Sequence, residues 1–133
     1  MIYVLDSNIV SYLIKEDVGV AARYLREFEK GNDFVIPPIV YYEVKRWLLA
    51  NDLDKRYARF KVLCQKIRPV EFDWSVWETA TELYAQLSKQ GKPIDDFDLF
   101  IAAFCLENGY ALVTNNTRHF KRIDGLELVN WKE

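Results

Sequence analysis

Short apolar runs without polar alternation recur along the chain: IYVL at Ile2–Leu5, FVIP at Phe34–Pro37, PVEF at Pro69–Phe72, YALVT at Tyr110–Thr114 and LELVNW at Leu126–Trp131. Such runs read as strands buried on both faces, the pattern of a parallel sheet covered by helices. Between them the spacing turns helical. SNIVSYLIK follows Asp6, and Ala21–Lys30 ends at Gly31. Ile39–Ala50 and Leu53–Ile67 form a pair, the second charged on one face. Trp74–Gln90 is amphipathic and stops at Gly91, and Asp96–Glu107 is apolar nearly all round and closes at Asn108-Gly109. Glycine just past a periodic run suits a left-handed helix terminus. The alternation predicts a three-layer α/β/α domain around a mostly parallel sheet of about five strands, with residues 1–133 as a single domain. No repeat or linker interrupts it.

Composition sharpens this. Of the 133 residues, 50% are hydrophobic and 15% aromatic, enough for a substantial core and unlike a disordered chain. No basic leader precedes MIYVLD. The longest apolar run, Leu99–Leu106, is too short to span a bilayer, so no membrane role is expected. Cys64 and Cys105 lack metal-ligand spacing and read as buried reduced thiols of a cytoplasmic protein. The formal net charge of −2 argues against nucleic-acid binding over the whole surface, but not against a local basic patch. Two clusters qualify: Lys45 to Arg68, and RHFKR at Arg118–Arg122. Either also reads as a solvated face.

In open α/β sheets ligands bind beyond the carboxyl ends of the strands. Asp6 sits there, directly after the first strand, although Asp-Ser-Asn, ending at Asn8, is also good helix-capping chemistry. Glu43 lies on an apolar helical stripe with Ile39, Val40 and Trp47, where a carboxylate requires a cationic partner, a proton or a metal. Asp98 is wedged between Phe97 and Leu99. Asp95 suits the helix cap, and Asp98 falls three positions on, where acids favour the helix dipole. Thr114, Asn115, Asn116 and Thr117 follow the fourth strand as a polar rim or a plain turn. Three carboxylates brought together without a cation raise one another's pKa values; a hard divalent ion with oxygen ligands resolves the conflict. The lone His119 and unclustered cysteines argue against zinc.

The three blocks YVLDSNIVSYLI, IPPIVYYEVKRW and GKPIDDFDLFIAAFCLENGYALVTNNTRHFKRIDGLELVNW, taken in order, resemble the PIN-domain ribonucleases, and within them the VapC-type toxins of type II toxin–antitoxin pairs. The last block is the most specific and is closest to the subgroup that cleaves initiator tRNA. The resemblance implies a catalytic acidic site of Asp6, Glu43 and Asp98. Asp6 and Asp98 would ligate Mg²⁺ or Mn²⁺, with Asn116, Thr114 and Asn8 in support. It places Asn116 where many members carry a fourth acid, and His119 where some carry a slightly later one, so a second metal should be weaker. It also implies a VapB-type antitoxin, an RNA substrate such as tRNA, and a homodimer. Arg118, Lys121 and Arg122 are the first candidates for phosphate contacts, with Lys45 and Arg46 behind them. Tyr41, Tyr42, Trp47, Leu48 and Leu49 give one helix more apolar surface than a single face buries, which suits either core or a partner groove.

Two rival readings differ in chemistry. A receiver-like phospho-acceptor module needs an acidic pair after the first strand and an acceptor Asp ending a later one; the chain has the single Asp6 and none after FVIP. A PIN-like RNA- or partner-binding module without nuclease activity would fit the neutral Asn116.

Overall fold

The computed structural model describes residues 1–132. The elements run β1 (Ile2–Leu5), α1 (Ser7–Ile14), α2 (Val18–Glu29), β2 (Asp33–Val35), α3 (Pro38–Ala50) and α4 (Asp54–Lys66). They continue with α5 (Trp74–Lys89), α6 (Asp96–Asn108), β3 (Ala111–Val113), α7 (Thr117–Phe120) and β4 (Leu128–Val129). The sheet has the order β2-β1-β3-β4, and every pairing is parallel.

That order contains a reversal. The chain leaves β1 for β2 on one side, then returns to lay β3 against the other side of β1. Leu5 pairs with Val113, so the next residues, Asp6 and Thr114, emerge side by side at the carboxyl end of the sheet. The Asp6 amide extends the ladder by donating to the Val113 carbonyl at 3.0 Å. This is the switch point at which α/β folds place their ligands.

The all-round apolarity of α6 now has a cause. Ile101, Ala102, Ala103, Phe104 and Cys105 are all buried, because α5 packs along the helix while other faces of it meet β3 and α3. Gly109 ends it with φ 70°, a conformation that most side chains resist. Val4 and Leu5 of β1, Leu112 and Val113 of β3, and Ile9 and Val10 of α1 share the same core. Trp131 closes it near β1 and β2, its ring 6.0 Å from those of Tyr3 and Phe34. From the same tail Lys132 reaches Asp17, the cap of α2, at 2.7 Å.

The structure corrects several sequence expectations. PVEF is not a strand. It contributes one parallel bridge, Pro69 to Ile36, closed by the Val70 amide donating to the Ile36 carbonyl at 3.0 Å. Proline has no N–H with which to continue a ladder, so the sheet has four strands among the described residues. LELVNW shrinks to the two paired residues of β4. α2 starts at Val18, three residues early, because the Asp17 side chain accepts from the Val20 amide and offsets the weak helix preference of Gly19. The loop after β3 contains the short helix α7. No helix of the described residues is long and apolar enough to cross a membrane.

Candidate active site

Asp6 is 4% exposed and lies between two tasks. As the cap of α1 it accepts from the Ser7 amide at 2.8 Å. Its other oxygen accepts from Thr114 Oγ1 at 2.7 Å and from Asn8 Nδ2 at 3.4 Å. All three donors are neutral, and among the described residues no cation pairs with this carboxylate. Burial therefore dominates and raises its pKa, although the hydrogen bonds from Thr114, Ser7 and Asn8 pull the other way.

Glu43 projects from α3 toward the start of α1. Ser7 Oγ donates to its Oε1 at 2.8 Å, so the residue after Asp6 also holds Glu43. Burial pushes the Glu43 carboxyl up; the charges of Asp6 and Asp95 add to this, while Ser7 and Arg46 offset part of it. Asp98 enters from the first turn of α6. Asp95 caps that helix through the Phe97 amide at 3.2 Å, which leaves Asp98 free of the capping role. Burial, then the charges of Asp6 and Asp95, raise the Asp98 carboxyl to about 6, against the opposing pull of His119. Asp6 thus acts electrostatically on both other acids.

The loop after β3 is cross-braced. Asn8 Oδ1 accepts from the Asn115 amide at 3.0 Å, and Thr114 Oγ1 accepts from the Asn116 amide at 2.9 Å. His119 Nδ1 stands 2.8 Å from Asn116 Nδ2 and 3.7 Å from Asp98 Oδ2. A neutral imidazole suits the first contact and a protonated one the second. Asn116 thereby reaches Asp98 through His119.

The donor set fits a hard cation. It is built of carboxylate, amide and hydroxyl oxygens, and its most buried carboxylate has no counter-ion. The acids do not form a closed cage: among the described residues no three His, Cys, Asp or Glu side chains are already gathered at ligating distances. They lie around one end of the sheet, in each other's field, with neutral donors holding Asp6 and Glu43 in place.

Residues 3–126 match the model of the PIN domain. The chain belongs to the PIN-domain family. PIN-domain ribonucleases generally depend on a divalent metal, in keeping with this donor set. The chain is 30% identical to ribonuclease VapC2 of Rickettsia felis over 98% of both chains. It is 27% identical to the tRNA(fMet)-specific endonuclease VapC of Shigella flexneri over 97% of both. Among solved structures it resembles the chain in VapBC2 of Rickettsia felis bound to a DNA fragment from its promoter, with a TM-score of 0.89, 29% identity and coverage of 99% of this chain and 100% of that one. VapBC-1 of nontypeable Haemophilus influenzae follows, with a TM-score of 0.87, 26% identity and full coverage of both chains.

The basic candidates of this PIN domain separate. Arg118 and Lys121 are exposed on and just after α7. Arg122 is tied down, donating to the Pro93 carbonyl at 2.6 Å. Lys45 stands about 200° round α3 from Glu43 and donates to Tyr41 Oη at 3.1 Å, on the side facing Tyr57. Arg46 stays near Glu43, its guanidinium 5.0 Å from the Tyr42 ring and 5.2 Å from that of Phe97. Sequence reading passed over Ser7 and Lys15. Position 7 carries a visible signal, a hydroxyl directly after the strand-end acid. Lys15 is isolated in sequence and meets the site only through the packing of α1 on α3.

Proposed function

We propose that this chain is the toxin of a VapBC-type toxin–antitoxin pair, a Mg²⁺-dependent endoribonuclease that hydrolyses phosphodiester bonds in structured RNA. The observation that carries this reading is the uncompensated Asp6 carboxylate beside Thr114, within the electrostatic reach of Glu43 and Asp98, in a chain matched end to end by VapC ribonucleases. Asp6 and Asp98 would hold the cation, Mg²⁺ or Mn²⁺, and Thr114, Asn8 and Asn116 would support them. When bound, such an ion supplies positive charge to the scissile phosphate and makes water more acidic.

The remaining chemistry belongs to the chain. Glu43 orients the attacking water through one carboxylate oxygen while Ser7 fixes the other, and its raised pKa suits it to take the water's proton. The hydroxide oxygen bonds to phosphorus, the bond to one bridging ribose oxygen breaks, and that oxygen takes up a proton from solvent, balancing the one passed to Glu43. Asn116 adds no negative charge, so a second cation at this site is held more weakly. Arg118 and Lys121 are placed to meet the RNA backbone.

The name of the Shigella flexneri relative supports tRNA, initiator tRNA in particular, as the RNA class. The VapBC assemblies support a VapB-type antitoxin as partner. A homodimer, a single PIN domain over residues 1–133 and a cytoplasmic location complete the reading. The test uses protein freed of antitoxin, incubated with total RNA and Mg²⁺ or Mn²⁺. Discrete products should appear and should vanish with EDTA and in Asp6→Asn and Asp98→Asn. Persistent binding without cleavage by the folded, metal-supplied protein would instead establish the binding-only alternative.

A further inference from the structure

Next to the acids a cavity of about 380 Å³ opens between α1 and α3. Glu43 and Ser7 form the end that adjoins the acids; Ser11, Lys15, Arg46 and Trp47 line the rest. The lining is one indole, two cations, two hydroxyls, the Glu43 carboxylate at one end and the aliphatic Val44. Trp47 lies one helical turn beyond Glu43 and is 41% exposed, where an indole in ordinary core would be covered. Lys15 Nζ stands 5.6 Å from the centre of its ring. Arg46 is propped between Tyr42 and Phe97. Among the described residues neither Lys15 nor Arg46 forms an ion pair, although Arg46 lies within the field of Glu43.

We infer that this cavity is a nucleotide subsite, taking one unpaired nucleotide of the RNA beside the cleaved phosphodiester. Its base stacks on Trp47, and its phosphate is met by Lys15 and Arg46. The inference rests on the ribonuclease reading and adds to it a place for the neighbouring nucleotide. An aromatic face combined with free cations is the usual means of holding single-stranded nucleic acid, and it tolerates any base because every base has a π face. RNA is favoured over a protein segment by position. A strand whose phosphate lies at the acids must run past the next helical turn, and there it meets a flat ring and positive charge in a protein of net charge −2.

The test reads binding, not cleavage, so loss of nuclease activity and loss of the subsite register separately. Fluorescently labelled single-stranded RNA of mixed sequence is titrated onto Asp98→Asn protein, with and without Trp47→Ala, Trp47→Phe or Lys15→Gln. Trp47→Ala should weaken binding about tenfold, and Trp47→Phe should retain most of the affinity. Oligomers with one abasic nucleotide should bind less well to the protein with Trp47 intact, but no worse to Trp47→Ala. Lys15→Gln should lower the slope of log affinity against log salt by about 0.7. Unchanged RNA affinity in a folded Trp47→Ala protein would overturn the proposal. So would a loss confined to binding of a co-expressed antitoxin, which would make the cavity a protein-docking site.

Discussion

Thr114 Oγ1 donates a 2.7 Å hydrogen bond to Asp6 Oδ2, joining residues 108 apart in sequence at adjacent strand ends. Thr114 is fully buried, and the same oxygen accepts from the Asn116 amide, so one hydroxyl sets both the acid and the loop.

Replacing that hydroxyl with a methyl group leaves the shape nearly unchanged and removes both bonds, together with a longer one that it accepts from Asn8 Nδ2 at 3.5 Å. Thr114→Val should cost about 1–3 kcal/mol of stability. It should also cost about 10–100-fold in metal affinity or RNA cleavage, the usual effect of losing a group that orients a ligand. Urea denaturation and a cleavage assay measure the two effects. Thr114→Ser, which restores the donor, should recover most of both.

The Asp98 proton predicts a pH dependence. Its carboxyl titrates at about 6 in the fold against 3.8 in a model peptide, so ionisation costs more in the folded chain. This contribution favours folding below pH about 4 and is lost as the pH rises through about 6. Metal-free Asp98→Asn should lack that loss and exceed the parent at pH 7 by on the order of 1–2 kcal/mol, since the partly open site screens the charges. Equal pH profiles of melting temperature for parent and variant would contradict the assignment.

A ligand that binds only the folded chain raises its stability by mass action, about 2.7 kcal/mol at a hundred times its dissociation constant. Mg²⁺ or Mn²⁺ should therefore raise the melting temperature of the parent, in a saturable manner. Asp6→Asn and Asp98→Asn should respond much less. Differential scanning fluorimetry across a metal titration, with EDTA reversal, reads this without any RNA.

The basic residues should differ in salt dependence. Neutralising Arg118 and Lys121 should each reduce the salt slope of RNA binding by about 0.7. Lys45→Gln should leave it unchanged, because its ammonium is directed to Tyr41 on the other side of α3.

The layered α/β architecture was legible because short unalternating apolar runs and helical stripes carry their own period. The candidate acids drew notice through their conflict with an apolar setting, Glu43 on its stripe and Asp98 inside the run at α6. What escaped was decided by pairing between distant segments. PVEF has strand composition, yet Pro69 has no amide to extend a ladder. Lys15 and Trp47 lie 32 positions apart and become neighbours only when α1 packs on α3. His119 looked like a replaced acid; its contacts with Asn116 and Asp98 depend on the turn of α7.

The register that places Leu5 beside Val113 also sets a schedule. Asp6 is made 108 residues before its neighbour Thr114 and well before the strand that carries Thr114. Contacts of such wide sequence separation close late and slowly. A nascent chain can form α1 to α5 and still have no assembled site, so the candidate pocket comes into being only once β3 and Thr114 have been made.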